Sequence, residues 1–178
     1  MLITLLAIGL AIFFAIQALG AKKRSSSEEK VMKGYFLLGL SGLMAKIAMA
    51  DGTVTEDEAE MAKRFFNRMD LSDAEKALCI GNFVSARRDG LEARDHTKRF
   101  MAYANAAACE FLYDMLWRIS RVDGTVDPAE DKLLADIAVY LGLNRVVYEN
   151  FRAGKKPSHD KCALKAAGVP PSLVALAR

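Results

Sequence analysis

The stretch Asp51-Gly52-Thr53-Val54 decides the fold of this sequence, because the same four residues return as Asp123-Gly124-Thr125-Val126. The two copies lie 72 residues apart (123 − 51), and the residues around them keep the same register. The matched pairs on both sides include Ile47 with Ile119, Glu58 with Glu130, and Leu71 with Leu143. A helix–turn–helix unit that occurs twice predicts one small helical domain, since two copies are too few for a solenoid.

The residues that follow each copy have the pattern of a helix start. Thr55 and Glu58 form a predicted capping box, in which each side chain accepts a hydrogen bond from the other residue's backbone N–H. In the second copy Asp127 is the predicted N-cap, Pro128 takes the first helical position and Glu130 is the box partner. The repeated phrase is therefore predicted to end one helix and to start the next.

Apolar residues recur at helical spacing from residue 31 to about 154, and no stretch alternates in the manner of a strand. The predicted fold class is all-α. Ser72 and Glu75 form another predicted capping box. Leu71 and Leu143, which each follow a helix end, are predicted to plug the core. The predicted helices cover about 31–50, 56–69, 73–88, 92–122 with a break near 103–108, 128–142 and 144–153.

Three glycines, Gly34, Gly39 and Gly42, interrupt the first of these helices. Glycine in a helix interior lowers the intrinsic helix propensity by about 1 kcal/mol relative to alanine. We therefore expect a heavily buried helix in which another backbone packs closely against these positions.

Residues 2–21 form an apolar run with no charge and only one polar amide, Gln17. At about 1.5 Å per residue, such a helix spans about 30 Å, the hydrocarbon thickness of a bilayer. Lys22-Lys23-Arg24 follows the run, whereas a cleavable signal peptide carries its positive charge before it. Residues 1–21 are thus predicted to be a single transmembrane helix and residues 22–30 a basic and polar linker, with everything after Lys22 on the cytoplasmic side.

Composition and motifs exclude several classes of function. The net charge of +3 is small and does not suggest nucleic-acid binding, which usually requires a clustered basic face. Cys79, Cys109 and Cys162 have no close spacing, which favours reduced thiols with the first two in the core. No nucleophile elbow, P-loop or zinc-protease motif occurs, so we predict no enzyme, no catalytic residue and no cofactor.

Two long phrases carry a resemblance to a known family. Residues 43–72 read LMAKIAMADGTVTEDEAEMAKRFFNRMDLS, and residues 118–144 read RISRVDGTVDPAEDKLLADIAVYLGLN. The region resembles the TerB-like domain, and the order of anchor and two repeats is similar to the N-terminal half of DjlA-type membrane-anchored DnaJ proteins. This resemblance implies a TerB-like helical domain over 31–154, a bacterial inner-membrane location, and a regulatory module that binds a protein partner or self-associates.

The tail, residues 155–178, is predicted to be a linker followed by a truncated J-domain-like start. The segment from His159 to Ser172 resembles the first J-domain helix and its turn, although Ala167 stands where leucine is usual. The 178 residues contain no His-Pro-Asp, the loop with which a J domain stimulates a DnaK-type ATPase. We therefore expect no such stimulation, and a DnaK-type partner is implied only if the native gene encodes a full J domain.

An alternative function is a divalent-metal-binding stress-response domain, because TerB-like domains are associated with tellurite resistance. Its candidate ligands are Asp51, Glu58, Asp123 and Glu130. The interval from each repeat glycine to its glutamate fits the end of an EF-hand loop, but the alternating carboxylates before the glycine are absent. Capping and metal binding therefore remain two explanations for the same carboxylates.

Overall fold

The computed structural model describes residues 26–50, 52, 56–121, 124–155 and 157–177, with only the backbone described for Asp57 and Glu58. Within these ranges all regular structure is helical, which confirms the predicted all-α class. The helices are α1 (Ser26–Ala48), α2 (Glu56–Arg68), α3 (Asp73–Ala86), α4 (Ala93–Met101), α5 (Ala106–Ser120), α6 (Pro128–Tyr140), α7 (Arg145–Arg152), α8 (Lys161–Ala166) and α9 (Pro171–Val174).

Helix α1 is the centre of the domain, and α3, α4, α5 and α6 pack around it. Six of its large apolar side chains are almost fully buried: Phe36, Leu37, Leu40, Leu43, Met44 and Ile47. By length and composition α1 could cross a membrane, but 61% of its most apolar window is buried inside the protein. Its apolar character is therefore explained by the core. The transmembrane helix predicted for residues 1–21 lies outside the described residues.

Two glycines let α4 approach the backbone of α1 closely. A Cβ atom on Gly39 would lie 2.8 Å from the Cβ of Phe100, and one on Gly42 would lie 2.5 Å from Nδ1 of His96. These distances are shorter than van der Waals contact, so both glycines lie in a close contact, but the atoms nearest to them belong to side chains of α4 rather than to the backbone that was predicted. Gly34 differs, since a Cβ atom there would meet no atom within 4 Å.

Helix starts follow the predicted local chemistry. Ser72 donates its backbone N–H to Glu75 Oε2 at 2.9 Å, and Glu75 returns its own N–H to Ser72 Oγ at 3.4 Å. Asp127 and Glu130 form the same reciprocal box at the start of α6. Leu71 is buried before α3, and Leu143 packs against the core from a half-buried position, as expected of core plugs.

The tail, for which a linker and a J-domain-like start stay the prediction, packs against the helical domain. Leu164 of α8 and Leu173 of α9 are fully buried in the same core as α1 and α5. The backbone of Gly168 sits against α1, because a Cβ atom there would lie 2.7 Å from the Cβ of Met32. The physical reason is that the apolar residues of the tail cover the start of α1, so the core continues beyond residue 154. Residues 26–30, expected in the linker, likewise form the first turns of α1.

Candidate functional site

The glycines of the two repeated turns adopt the same backbone conformation. Gly52 and Gly124 have φ angles of 96° and 97°, a region that glycine enters without the steric penalty of a side chain. Each glycine donates its N–H to the carbonyl three residues earlier, on Met49 and Arg121 respectively. The duplication in the sequence is thus a duplication of structure at the glycines.

Of the predicted metal ligands, Glu130 is the one whose side chain the structure describes. Its Oε2 accepts the N–H of Asp127 at 2.9 Å, while Asp127 Oδ1 accepts the N–H of Ala129 at 2.7 Å. Glu130 therefore acts as the predicted cap. Asp51 and Asp123, and the side chain of Glu58, lie outside the described part of the chain.

The described residues contain no cluster of three or more histidine, cysteine, aspartate or glutamate side chains suited to a metal ion. A metal site at the repeats would need Asp51, Glu58 and Asp123, whose side chains are not described. The metal hypothesis therefore stays a prediction.

An apolar pocket of about 70 Å³ lies where the two copies of the repeat meet. Ile47 and Ile119, which occupy equivalent positions in the two copies, both line it. The other lining residues are Met44, Ala48, Met61, Ala62, Phe65, Phe83, Ser120 and Glu130. Cofactor and drug-sized ligand sites are usually about 300–1,000 Å³, so this pocket suits a single apolar side chain instead.

His96 is buried beside the close contact between α1 and α4. Its Nε2 lies 3.6 Å from Asp89 Oδ2, too far for a hydrogen bond, and has no hydrogen-bond partner. Burial lowers the pKa of His96; Asp89 opposes this shift, and the nearby Lys46 adds to it. Lys46 itself donates to the carbonyl of Ala86 at 2.6 Å, so the Lys46 side chain holds the end of α3 against α1. The sequence marked neither His96 nor its partner, because nothing local indicates that this histidine is buried.

A second buried pair joins the tail to the core. His159 Nε2 lies 3.4 Å from Asp114 Oδ2, and Arg118 donates to the same oxygen at 2.5 Å. Burial alone would raise the pKa of Asp114, but His159 and Arg118 outweigh it and hold the pKa below its ordinary value. His159 also packs edge-on against Phe111, with ring centroids 5.3 Å apart. Its role here is structural, and it was not predicted.

Beside this pair lies a cleft of about 300 Å³ between α5 and the end of α7. Arg121 crosses it, with its guanidinium 4.6 Å from the ring centroid of Trp117. The same guanidinium donates to the carbonyls of Phe151 and Arg152, each at 2.8 Å. These bonds satisfy carbonyls at the end of α7, which accounts for Arg121 as a helix cap rather than as a ligand-binding residue.

The three cysteines differ in reactivity. Cys79 and Cys109 are buried, as predicted, and Cys162 is exposed. Burial raises the pKa of Cys79 to about 12 and that of Cys109 to about 11. The thiolate is the reactive form, so the raised pKa makes the two buried thiols unreactive at neutral pH. Cys162 is therefore the accessible thiol among the three.

Comparison with known proteins agrees with the fold. Residues 37–153 match the family described as tellurite resistance protein TerB. Co-chaperone protein DjlA of Haemophilus ducreyi is 25% identical over 123 residues, which are 68% of this chain and 43% of that protein. Co-chaperone protein DjlA of Yersinia pseudotuberculosis is 23% identical over 138 residues, 76% of this chain and 50% of that protein.

This chain therefore spans half or less of the length of these curated relatives. No solved structure matches it. The family match covers more than half of the chain, including both repeats and helices α2 to α7. The chain belongs to the TerB family and is similar to DjlA co-chaperones.

Proposed function

We propose that this chain is a membrane-anchored, non-enzymatic interaction module that corresponds to the regulatory half of a DjlA-type co-chaperone. The observation that carries the proposal is the similarity to co-chaperone protein DjlA, which extends over 68% and 76% of this chain for two relatives. The proposed partner is another protein or a second copy of the chain. A DnaK-type chaperone becomes a partner only if the native gene encodes a full J domain.

The apolar pocket supports a binding role for the repeats. It is lined mainly by methionine, isoleucine and phenylalanine side chains from α1, α2, α3 and α5, and its 70 Å³ match one apolar side chain of a partner. Pockets of this kind, filled by a partner's anchoring residue, are common centres of binding energy in protein interfaces. The pocket thus offers an interaction module a point of attachment that needs no catalytic group.

The location we propose is a bacterial inner membrane. The apolar residues 2–21 form the single span, the N-terminus lies outside and the TerB domain lies in the cytoplasm. The basic residues 22–24, placed after the span, support this orientation because cytoplasmic flanks are enriched in lysine and arginine.

Cys162 provides a test of this topology in the unmodified chain. In intact spheroplasts a membrane-impermeant maleimide should leave Cys162 unlabelled, and permeabilising the inner membrane should make it react fully. Cys79 and Cys109 contribute little background because they are buried. A Cys162→Ser chain is the control and should stay unlabelled in both conditions. Complete labelling of intact spheroplasts would contradict the cytoplasmic placement.

An ATPase assay tests the functional assignment. The chain added to a DnaK-type chaperone should leave its rate of ATP hydrolysis unchanged, because none of the 178 residues supplies a His-Pro-Asp loop. A complete J-domain protein in the same assay is the positive control. Stimulation by this chain without any added J-domain protein would overturn the proposal.

The second candidate is the tellurite-resistance-like, metal-binding stress-response domain. One observation favours it: Ile47, Ile119 and Glu130 line a single pocket, so the ends of α1 and α5 that lead into the two turns lie close together. This candidate requires that millimolar Ca²⁺ raise the melting temperature and that Asp51→Asn with Asp123→Asn abolish the rise. No shift with any divalent ion would eliminate it.

A further inference from the structure

Helix α4 presents basic side chains to the solvent. Arg94, Lys98 and Arg99 are all exposed, and no ion pair joins them to a carboxylate in the described part of the chain. By contrast, the exposed Arg64 of α2 pairs with Glu60 one turn away. The positive charges of α4 are therefore available to an anionic partner outside the chain.

The acidic residues of α4 lie at its start. Glu92 is the N-cap, and the carboxylate of the half-buried Asp95 accepts the N–H of Glu92 at 3.2 Å, which closes the capping box. Lys98 and Arg99 lie in the last turn of the helix. The surface at the end of α4 is therefore positively charged.

Apolar and aromatic side chains border the basic residues at this end of α4. Met101 and Tyr103 are each 42% exposed. Tyr103 stacks on Tyr35 of α1, with ring centroids 4.3 Å apart, and Val31, one turn before Tyr35, is 45% exposed. Tyrosine is enriched at membrane–water interfaces because its ring is apolar and its hydroxyl is polar. The combination of basic and apolar side chains is typical of helices that lie on membranes.

These residues form one surface, which we call the α4 face: Val31, Tyr35, Arg94, Lys98, Arg99, Met101 and Tyr103. Helix α4 runs antiparallel to α1, since Phe100 contacts Gly39 whereas His96 contacts Gly42. The end of α4 therefore lies towards the start of α1, where residues 1–25 join the domain.

The length of the connecting chain places the α4 face within reach of a bilayer. Four residues, 22–25, lie between the predicted span and α1, so Ser26 lies within about 18 Å of the end of that span. Tyr35 is nine residues further along α1, about 14 Å away. The α4 face meets the bilayer surface when α1 lies along the membrane.

We propose that the α4 face rests on the anionic phospholipid headgroups of the membrane that anchors the chain. Arg94, Lys98 and Arg99 contact phosphate groups, while Met101 and the two tyrosines enter the interfacial layer. Each basic residue close to an anionic bilayer is worth about fivefold in membrane partition. The inference rests on the proposed membrane anchor and goes beyond the proposed function, because it assigns this surface to lipid rather than to a protein.

Fluorescence quenching by lipids tests the contact. Full chains with Met101→Cys, in a Cys162→Ser background, are labelled with a nitrobenzoxadiazole dye and reconstituted in vesicles of phosphatidylcholine and phosphatidylglycerol. Nitroxide groups on the lipid headgroups should quench this dye at least about threefold more than the same dye at Asn67→Cys. Asn67 is the matched control because it is exposed on α2, which packs on α3.

Charge variants test which residues make the contact. Changing Arg94, Lys98 and Arg99 together to glutamine should reduce quenching at position 101 at least about threefold. Vesicles of phosphatidylcholine alone, or high salt, should do the same, because each removes the electrostatic attraction. A control variant removes three positive charges from α2: Lys63→Gln, Arg64→Gln and Arg68→Gln. It should leave the quenching unchanged, and circular dichroism should show equal helicity in all variants.

Flotation of the chain with the vesicles separates failure of this inference from failure of the proposed function. A chain that floats but is quenched equally at positions 101 and 67 keeps its anchor and overturns the inference alone. Equal loss of quenching in both charge variants would also overturn it, since total charge rather than the α4 face would then govern the contact. A chain that does not float lacks the anchor, which contradicts both the proposed membrane location and the inference.

Discussion

Removal of residues 155–178 should abolish or strongly weaken the cooperative unfolding of the helical domain. The tail buries two leucines, Leu164 and Leu173, together with Val169 and Val174, against the same core as α1 and α5. Fully burying one such side chain is worth about 1.5–3 kcal/mol, and whole domains are stable by only about 5–15 kcal/mol. Thermal melts of chains 26–154 and 26–178, both without residues 1–25, measure the difference.

Single substitutions distinguish the loss of buried side chains from the removal of a whole chain segment. Leu164→Ala should lower the free energy of unfolding by about 2–5 kcal/mol, the usual cost of a buried leucine-to-alanine change. Leu176→Ala is the matched control, since Leu176 is 47% exposed and should change stability by less than about 0.5 kcal/mol. If the 26–154 chain melts at the same temperature as 26–178, residues 155–178 do not contribute to the stability of the domain, and this prediction is wrong.

Two glycine-to-alanine changes in α1 should change the free energy of unfolding in opposite directions. Gly39→Ala should destabilise the domain by about 1–3 kcal/mol, because the added methyl group would overlap Phe100 and force α4 away from α1. Gly34→Ala should stabilise it by about 0.5–1 kcal/mol, because the methyl group there meets nothing and alanine is the better helix former. Urea titrations of both variants against the parent chain measure the two changes.

The comparison is informative because both substitutions alter the same helix in the same way. An increase in helix propensity alone predicts stabilisation in both, so only the contact with Phe100 can reverse the sign for Gly39. Gly42→Ala tests the same interface at a second position, where the added methyl group would overlap the ring of His96. Stabilisation by Gly39→Ala would mean that α1 and α4 are not held as closely as the structure shows.

Several features followed directly from local sequence. The capping boxes of Ser72 with Glu75 and of Asp127 with Glu130 involve groups three residues apart, so their geometry depends on little else. Helix boundaries near these caps agree with the structure to within about two residues. The close approach at Gly39 was also foreseeable, because repeated glycines in a buried helix need an explanation.

Other features needed contacts between distant residues. Neither His96 nor His159 gave a local signal, yet both are buried beside an aspartate. Asp89, beside His96, lies in the loop before α4, and Asp114, beside His159, lies on α5. The packing of the tail against the domain was not foreseen for the same reason, since its two short helices have too few residues to show which face is buried. Their place against α1 depends on the contact between Gly168 and Met32, which are separated by more than a hundred residues.

By itself, the sequence determined the all-α class, the duplicated turn and the positions at which most helices start, because hydrogen bonds and apolar spacing within a few residues govern these features. Only the tertiary structure decided that α1 is the central helix, that the tail completes the core and that Tyr35 stacks on Tyr103 beside the end of α4. Those outcomes depend on which apolar surfaces meet, and this is set by the packing of the whole chain rather than by any single stretch.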